Sequence, residues 1–461
     1  MPVSGDGAVV SDPLWKMLKG TNGELAWPPL LRGGTASLEA LARFLEDSQW
    51  LPRDEIVVRQ HEQLAKLAEY CSRFSRVFRE RLKAAGVEPS DLGDPANLSR
   101  LPLLSRRELQ KGDLYCLQAP KEHLPSNEMR TSGSTGEPVM VRRTAITQQF
   151  WLAITLREYF WHERAFDLRF SAIRPTISEY RELPDWGPPA SLLFETGPAQ
   201  MIPITESVET IAERLTAFAP EVLAIYPNVL AALIAHLKQT GARLPSVKLI
   251  RSISETLSPA LREEARTFFD ARVVDNYSSQ EVGVIAVQCP ESELYHVMSE
   301  SLIVEVVGED GHACGEGETG RVAITDLHNF ATPLLRYDIG DYAQVGGPCP
   351  CGRGLPTLKR ILGRERNLIR MPDGSRHWPL VGFAQFRDVA PIAQYQMVQI
   401  SRDEIEVRLV AEAPLNGAQV SDLSNVIREA LGHPFTLRFV YFDERIPAGP
   451  RGKFEEFVSQ V

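Results

Sequence analysis

Thr131-Ser132-Gly133-Ser134-Thr135-Gly136-Glu137-Pro138 is the segment of this chain with the plainest chemical content. Glycines reach backbone conformations closed to residues with a Cβ, so main-chain N–H groups can fold around phosphate oxygens. The interleaved hydroxyls add donors. A Gly/Ser/Thr run by itself is as readily a surface loop. Downstream, in order, stand Tyr277-Ser278-Ser279-Gln280-Glu281, Arg336-Tyr337-Asp338-Ile339-Gly340-Asp341, Gly363-Arg364-Glu365-Arg366-Asn367 and Gly452-Lys453-Phe454. Singly, each has a plain reading: Tyr277 a core aromatic, Asp341 a turn former after glycine, Lys453 a solvated tail lysine. A second constellation is Cys289, His296, Cys349 and Cys351. Three thiolates and an imidazole suit tetrahedral Zn²⁺, and a full protein set leaves no open catalytic position. His312 and Cys314 form a rival pair, Cys-Pro-Cys is tighter than the commonest zinc spacing, and ordinary thiols are the bland alternative.

The order of these motifs, a glycine-rich loop early and a Gly-Lys near the end, resembles the adenylate-forming superfamily. That family joins acyl-CoA synthetases, carrier-protein adenylation domains and luciferases. Within it, the short chain and the segment NYSSQEVGVIAVQCPESELYH look like the phenylacetate–coenzyme A ligase branch, which includes relatives from capsule biosynthesis. The resemblance runs from about residue 60 to the end. It implies that MgATP activates a small, aromatic carboxylic acid as acyl-AMP, with pyrophosphate released, and that the acyl group then passes to coenzyme A.

The resemblance also assigns roles. Thr131, Ser132, Gly133, Ser134, Thr135 and Gly136 match the loop that holds the β- and γ-phosphates. Tyr277 matches the aromatic residue against adenine, and Glu281 the carboxylate that engages Mg²⁺. Asp341 matches the carboxylate on the ribose hydroxyls, Arg364 an arginine near ribose and phosphate at the domain junction, and Lys453 the catalytic lysine. Several ligases of this branch carry a structural zinc at the positions of Cys289, His296, Cys349 and Cys351. Some positions depart from the pattern. Ser278 stands where glycine is usual, Gln280 where Thr or Ser is frequent, and Val139 where many relatives have lysine. Arg142 or Arg143 could meet phosphate charge in its place, or face solvent. Asn367 replaces a common hinge aspartate, and MPDGSRHWP follows it in an unusual continuation, so the hinge differs from the family's. Two further readings stay open. An amine, a hydroxyl or a carrier protein could accept the acyl group instead of CoA. The chain could also be a non-catalytic binding relative, against which Glu281, Asp341, Arg364 and Lys453 all argue.

The elements that must position these residues follow from periodicity. Glu62 to Ala85 reads as helical, with Leu64, Leu67, Tyr70 and Phe74 at spacings of three and four. Val222–Tyr226, Val247–Ile253 and Arg272–Asp275 read as strands. Between them, Pro227 opens a helix closed by Gly241, and Ser258-Pro259 opens another to Phe269. Repeated β-α-β with short links implies a mainly parallel sheet covered by helices. The character changes after about residue 300, with strand-like Leu302–Val307 and Arg321–Leu327. A small α+β unit then has strands at 395–400, 405–410 and 437–442 and a helix at 422–431. The expected fold is α/β, with a large N-terminal domain (1–363) and a small mobile C-terminal α+β domain (364–461). The acid pocket is expected between 151–174 and 226–255. Trp151, Phe160, Trp161 and Trp186 are candidates to line it, although aromatics are more often core.

Composition bounds the rest. A chain of 461 residues exceeds one hydrophobic core of ~250–300 residues. A net charge of −10 disfavours a nucleic-acid partner. The first residues, MPVSGDGAVVSDP, lack the features of a secretory signal and read as disordered, and no apolar run approaches the ~20 residues of a membrane span. Six cysteines in so long a chain do not suggest a disulfide framework. A cytoplasmic enzyme is the default, without a membrane partner. Oligomeric state is left open, a homodimer included.

Overall fold

Apolar, β-branched runs alternating with well-capped helices build one large sheet. The computed structural model of the chain describes residues 34–111, 127–131, 139–162, 165–309, 311–364, 368–374, 376–377, 386, 389–411, 413–443, 446–447 and 456–461. Helices Gly34–Ser48, Arg53–Phe74 and Arg76–Ala84 come first. The expected single helical stretch is broken at Ser75, whose side chain caps the third helix by accepting from the Phe78 amide. Strands β1 (Asn127–Thr131) and β2 (Val139–Arg143) form an antiparallel pair in which Thr131 faces Val139. Helix Ala145–Trp161 follows.

The parallel part holds β3 (Phe170–Arg174), an antiparallel edge strand β4 (Arg181–Leu183), β5 (Ala199–Pro203), β6 (Val222–Ile225), β7 (Leu249–Ser252) and β8 (Arg272–Ser279). Helices Val208–Phe218, Pro227–Thr240 and Pro259–Phe269 connect them. Two of the helix signals stand as read. Gly241 closes its helix at φ +71°, and Ser258 caps the next by accepting from the Leu261 amide. These helices bury one face of the sheet around Leu223, Ile225, Leu230 and Ile250. Helices Gly34–Ser48 and Ala145–Trp161 bury the other, around Leu45, Leu156, Ala172 and Ala224.

After β8 the pairing turns antiparallel: β9 (Gly283–Gln288), β10 (Tyr295–Val297), β11 (Leu302–Val307), β12 (Thr319–Asp326), β13 (Tyr337–Val345) and β14 (Thr357–Arg364). The change comes at Gly283, earlier than the expected residue 300, because β8 runs on through Tyr277 to a tight turn. The spatial order is β11-β12-β13-β14-β10-β9-β8-β7-β6-β3-β5-β4.

A short pair, β15 (Ile369–Arg370) and β16 (Arg376–His377), precedes a second sheet. That sheet holds β17 (Ile392–Gln399), β18 (Glu404–Ala411), β19 (Thr436–Tyr441) and β20 (Phe457–Ser459), in the order β19-β18-β17-β20. Helix Gly417–Leu431 packs on it through Leu423 and Ile427, and the buried residues of this core all lie between 369 and 457. Among the described residues, no helix is long and apolar enough to cross a membrane.

Candidate functional site

Tyr277 and Asp341 stand 64 positions apart, and the Tyr277 hydroxyl donates to Asp341 Oδ2 at 2.8 Å. Their strands, β8 and β13, are separated by β9, β10 and β14. Four strand spacings span ~19 Å in a flat sheet. A direct hydrogen bond therefore requires this half of the sheet to curl upon itself. The curl closes over one core that includes Tyr277, Ile285, Ala286, Tyr337, Ile339 and Leu358. Asp341 is in register with Arg364 of β14, so three of the expected site positions converge.

Glu281 follows the end of β8 and is 5% exposed. Arg106 Nη1 lies 3.4 Å from its Oε1. Oε2 has no protein partner among the described residues, which leaves a hard oxygen for a divalent cation. Arg143 holds the same turn by donating to the Gln280 carbonyl. Its guanidinium lies 4.1 Å from the centroid of the Trp151 ring. Burial draws its pKa down to about 10, against the pull of Asp326 and Glu281. Arg142 turns the other way and pairs with Glu128 at 2.8 Å. Of the two arginines read as phosphate candidates, Arg143 is the one built into the site. Gly283 completes the turn at φ +86°, and a Cβ there would meet the Trp151 ring at 3.3 Å. The turn made unusual by Ser278 and Gln280 therefore draws its geometry from Gly283.

The glycine-rich loop connects Thr131 to Val139, partners in the β1–β2 register. Ser132, Gly133, Ser134, Thr135 and Gly136 lie outside the described residues, as do Asn367, Lys453 and the side chains of Thr131 and Arg364.

Beside this site, the ligand atoms of Cys289, His296, Cys349 and Cys351 all lie within 4.8 Å of one another. Cys289 Sγ and Cys349 Sγ are 3.6 Å apart, and Cys351 Sγ is 3.3 Å from His296 Nε2. Bonds of ~2.0–2.3 Å to a tetrahedral zinc set ligand–ligand edges of ~3.3–3.8 Å, and both of these distances fall in that range. His296 Nδ1 lies 3.4 Å from the Leu355 carbonyl, which leaves Nε2 as the nitrogen able to ligate a metal. Burial pushes its pKa down to about 4, so the ring is neutral at pH 7, the form that ligates. Cys289 follows β9, His296 sits in β10, and the cysteine pair lies in the β13–β14 connection, where Gly352 at φ +81° makes the turn. The rival His312 and Cys314 join no such group among the described residues.

Arg353, next in sequence, lies over both Trp50 and Trp161 and donates to Gln49. At Gly354 a Cβ would fall 1.8 Å from the Leu51 carbonyl oxygen. The first helix is thereby docked directly on the cysteine loop. Trp161 presents an edge to His296 at 5.5 Å between centroids, while Phe160 and Trp186 pack with Phe166. Of the four aromatics proposed for an aryl pocket, these three belong to the core. Sequence reasoning passed over Arg106, which opens a helix after the capping box of Ser105 and Glu108 and reads there as a routine helix start.

No family model matches the chain. It is 23% identical over 381 residues to a phenylacetate-coenzyme A ligase of Thermus thermophilus, covering 79% of this chain and 83% of that one. It is 22% identical over 421 residues to the protein CapK of Staphylococcus aureus, covering 87% and 89%. A solved 2-hydroxyisobutyryl-CoA ligase in the postadenylation state, in complex with 2-HIB-AMP, superposes with a TM-score of 0.72 at 17% identity, covering 89% and 90%. In sequence and in fold the chain is similar to adenylate-forming ligases of the phenylacetate–CoA ligase type.

Proposed function

We propose, from that likeness and from the convergence of Tyr277, Asp341 and Arg364, that this protein activates a small carboxylic acid with MgATP and transfers the acyl group to coenzyme A. The carrying observation is the 2.8 Å hydrogen bond between Tyr277 and Asp341, which brings the two residues matched to adenine and ribose to one spot. An aromatic acid is the preferred substrate. With Phe160, Trp161 and Trp186 taken by the core, that preference rests on relatives named for phenylacetate. Residues 1–363 would form the adenylating domain and 364–461 the unit that delivers Lys453.

In the first step a carboxylate oxygen attacks the α-phosphorus of ATP and pyrophosphate leaves. A carboxylate is a weak nucleophile and ATP is strongly anionic, so positioning and charge neutralisation do most of the work. Amides of residues 131–136 would close on the β- and γ-phosphates. Glu281, fixed from one side by Arg106, would hold Mg²⁺, which supplies charge neutralisation to the leaving pyrophosphate. Asp341 would accept from the ribose hydroxyls, kept in place by Tyr277. Lys453 would meet the charge shared between carboxylate and α-phosphate. In the second step the CoA sulfur attacks the acyl carbonyl and AMP leaves. The four-residue zinc set would stay structural.

Tyr277→Phe should raise the KM for MgATP by roughly 3–10-fold, because Asp341 loses a donor worth ~1 kcal/mol, while kcat changes little. An unchanged KM would mean that the Tyr277–Asp341 contact does not serve the nucleotide.

The whole reading is tested by ATP–pyrophosphate exchange over an acid panel, repeated with CoA and product mass spectrometry. Exchange needs only the first step, so it identifies the acid whatever the acceptor. An acyl-CoA mass with the best acid is the expected result. Strong exchange with acyl-AMP accumulating at millimolar CoA would point to an amine, hydroxyl or carrier-protein acceptor. Absence of exchange with every acid would favour a non-catalytic protein.

A further inference from the structure

The path of the chain through the parallel strands sets where a ligand can enter. Across the sheet these strands run β5-β3-β6-β7-β8. The chain leaves β3 toward β5 on one side, and leaves β6 toward β7 on the other. Ligands of open parallel sheets bind in the crevice beyond the carboxyl ends of two such strands, where the winding reverses. Here that crevice lies between Arg174, the last residue of β3, and Tyr226, which follows β6.

Arg174 shares a strand face with Ala172, the face covered by helix Ala145–Trp161. Its electrostatic neighbours are Arg251, Tyr226, Tyr159 and Glu158. Charges do not balance there. Glu158, fully buried, is taken by Arg251 at 2.6 Å. The guanidinium of Arg174 makes no hydrogen bond or ion pair among the described residues, and burial, with Arg251 beside it, lowers its pKa. Arg174 is half-buried at the strand end, and arginine stays protonated, so its charge is presented to the crevice without a hydrogen-bonded protein partner among the described residues. An anion arriving in the crevice would supply that partner.

We propose that the acid activated by this protein carries a second carboxylate, distal to the reacting one, and that Arg174 receives it. This rests on the acid-activating reading above. The distal position follows from the sheet. β3 lies three strands from β8, a distance of ~14 Å, so Arg174 stands away from the nucleotide beside Tyr277 and toward the far end of a small diacid. A planar guanidinium matches a carboxylate with two parallel hydrogen bonds, and the surplus positive charge of the Arg174–Arg251–Glu158 group is what a dianionic substrate would neutralise.

The test is ATP–pyrophosphate exchange on matched pairs of acids, each monoacid beside the same acid bearing a second carboxylate, with wild type, Arg174→Gln and Arg174→Lys. Wild type should favour the diacid in kcat/KM. Arg174→Gln should lose ~10²-fold on the diacid and hold its rate on the monoacid, and Arg174→Lys should fall between. A thermal shift reads the same contact without turnover. The diacid should raise the melting temperature of wild type and not of Arg174→Gln. The unliganded variant should melt no lower than wild type, since the half-buried Arg174 side chain makes no hydrogen bond or ion pair among the described residues. Exchange on monoacids with diacids idle, or a variant that weakens both acids alike, would overturn the role of Arg174 and leave the acid-activating reading standing. Silence with every acid would overturn both.

Discussion

Cys351→Ser should yield protein without zinc and with a melting temperature lower by on the order of 10 °C, whereas wild type purified without added metal should carry one zinc per chain. Two of the ligand–ligand distances already match tetrahedral spacings, and the four residues come from three separate pieces of chain. Cys289 closes β9, His296 belongs to β10, and Cys349 and Cys351 join β13 to β14. Without the metal, three thiols and an imidazole crowd together with nothing to share, and the loop carrying Arg353 and Gly354 loses its anchor. Docking of the first helix through Gln49 and Leu51 should loosen with it. The curl that lets Tyr277 reach Asp341 runs through the same strands, so MgATP affinity should weaken in the variant as well. Cys314→Ser is the control and should keep both metal and stability. Elemental analysis and thermal melts read both variants. A metal-free wild type of full stability would sink the idea, and zinc lost with Cys314→Ser alone would move the site to the rival pair.

Lys453→Ala should slow acyl-AMP formation ~10²–10³-fold, the usual loss when one preorganised charge is removed from a developing transition state, with MgATP affinity nearly unchanged. The residue lies outside the described residues, and the described residues on either side of it in sequence are held by the core. Ile446 is fully buried, and its amide donates to Gln394 Oε1 at 2.9 Å. On the other side Glu456 accepts from the Tyr395 hydroxyl at 2.8 Å, and its carbonyl receives the Met397 amide. Exchange kinetics measure the first step. Adding preformed acyl-AMP with CoA bypasses it, and thioester formation should then continue in the variant. Pyrophosphate exchange at wild-type speed would show that the lysine has another role.

Much of the framework was legible in the residues, and the failures have physical causes. Leu302–Val307 was read to the residue, because five apolar positions, four of them β-branched, stand around Glu305 between turn formers. Helix Gly417–Leu431 starts five residues before its expected beginning, since Asn416 and Gln419 form a capping box that polar residues conceal within a loop-like stretch. Strand β8 was ended at Asp275, although it continues through Tyr277 and Ser279, where hydrogen bonds to β9 override polar side chains of weak strand preference. The four residues read as a zinc set were picked out by residue type, order and resemblance, and the fold gathers their ligand atoms within 4.8 Å. Arg106 and Arg174 carried no local signal, and Arg143 could not be told from Arg142. An arginine on a short helix or at a strand end becomes informative only when burial and the lack or presence of a partner are known.

The register between Asp341 and Arg364 has a mechanical side. The large sheet ends, in chain order, on Arg364, so the chain that follows departs from a point one strand spacing from the carboxylate proposed to hold the ribose. If the unit proposed to begin at residue 364 turns, that point would be its fulcrum. For a given turn, displacement grows with distance, so Arg364 would scarcely move while residues farther from it would sweep a longer arc. A nucleotide resting there would keep its floor while the opposite wall is exchanged.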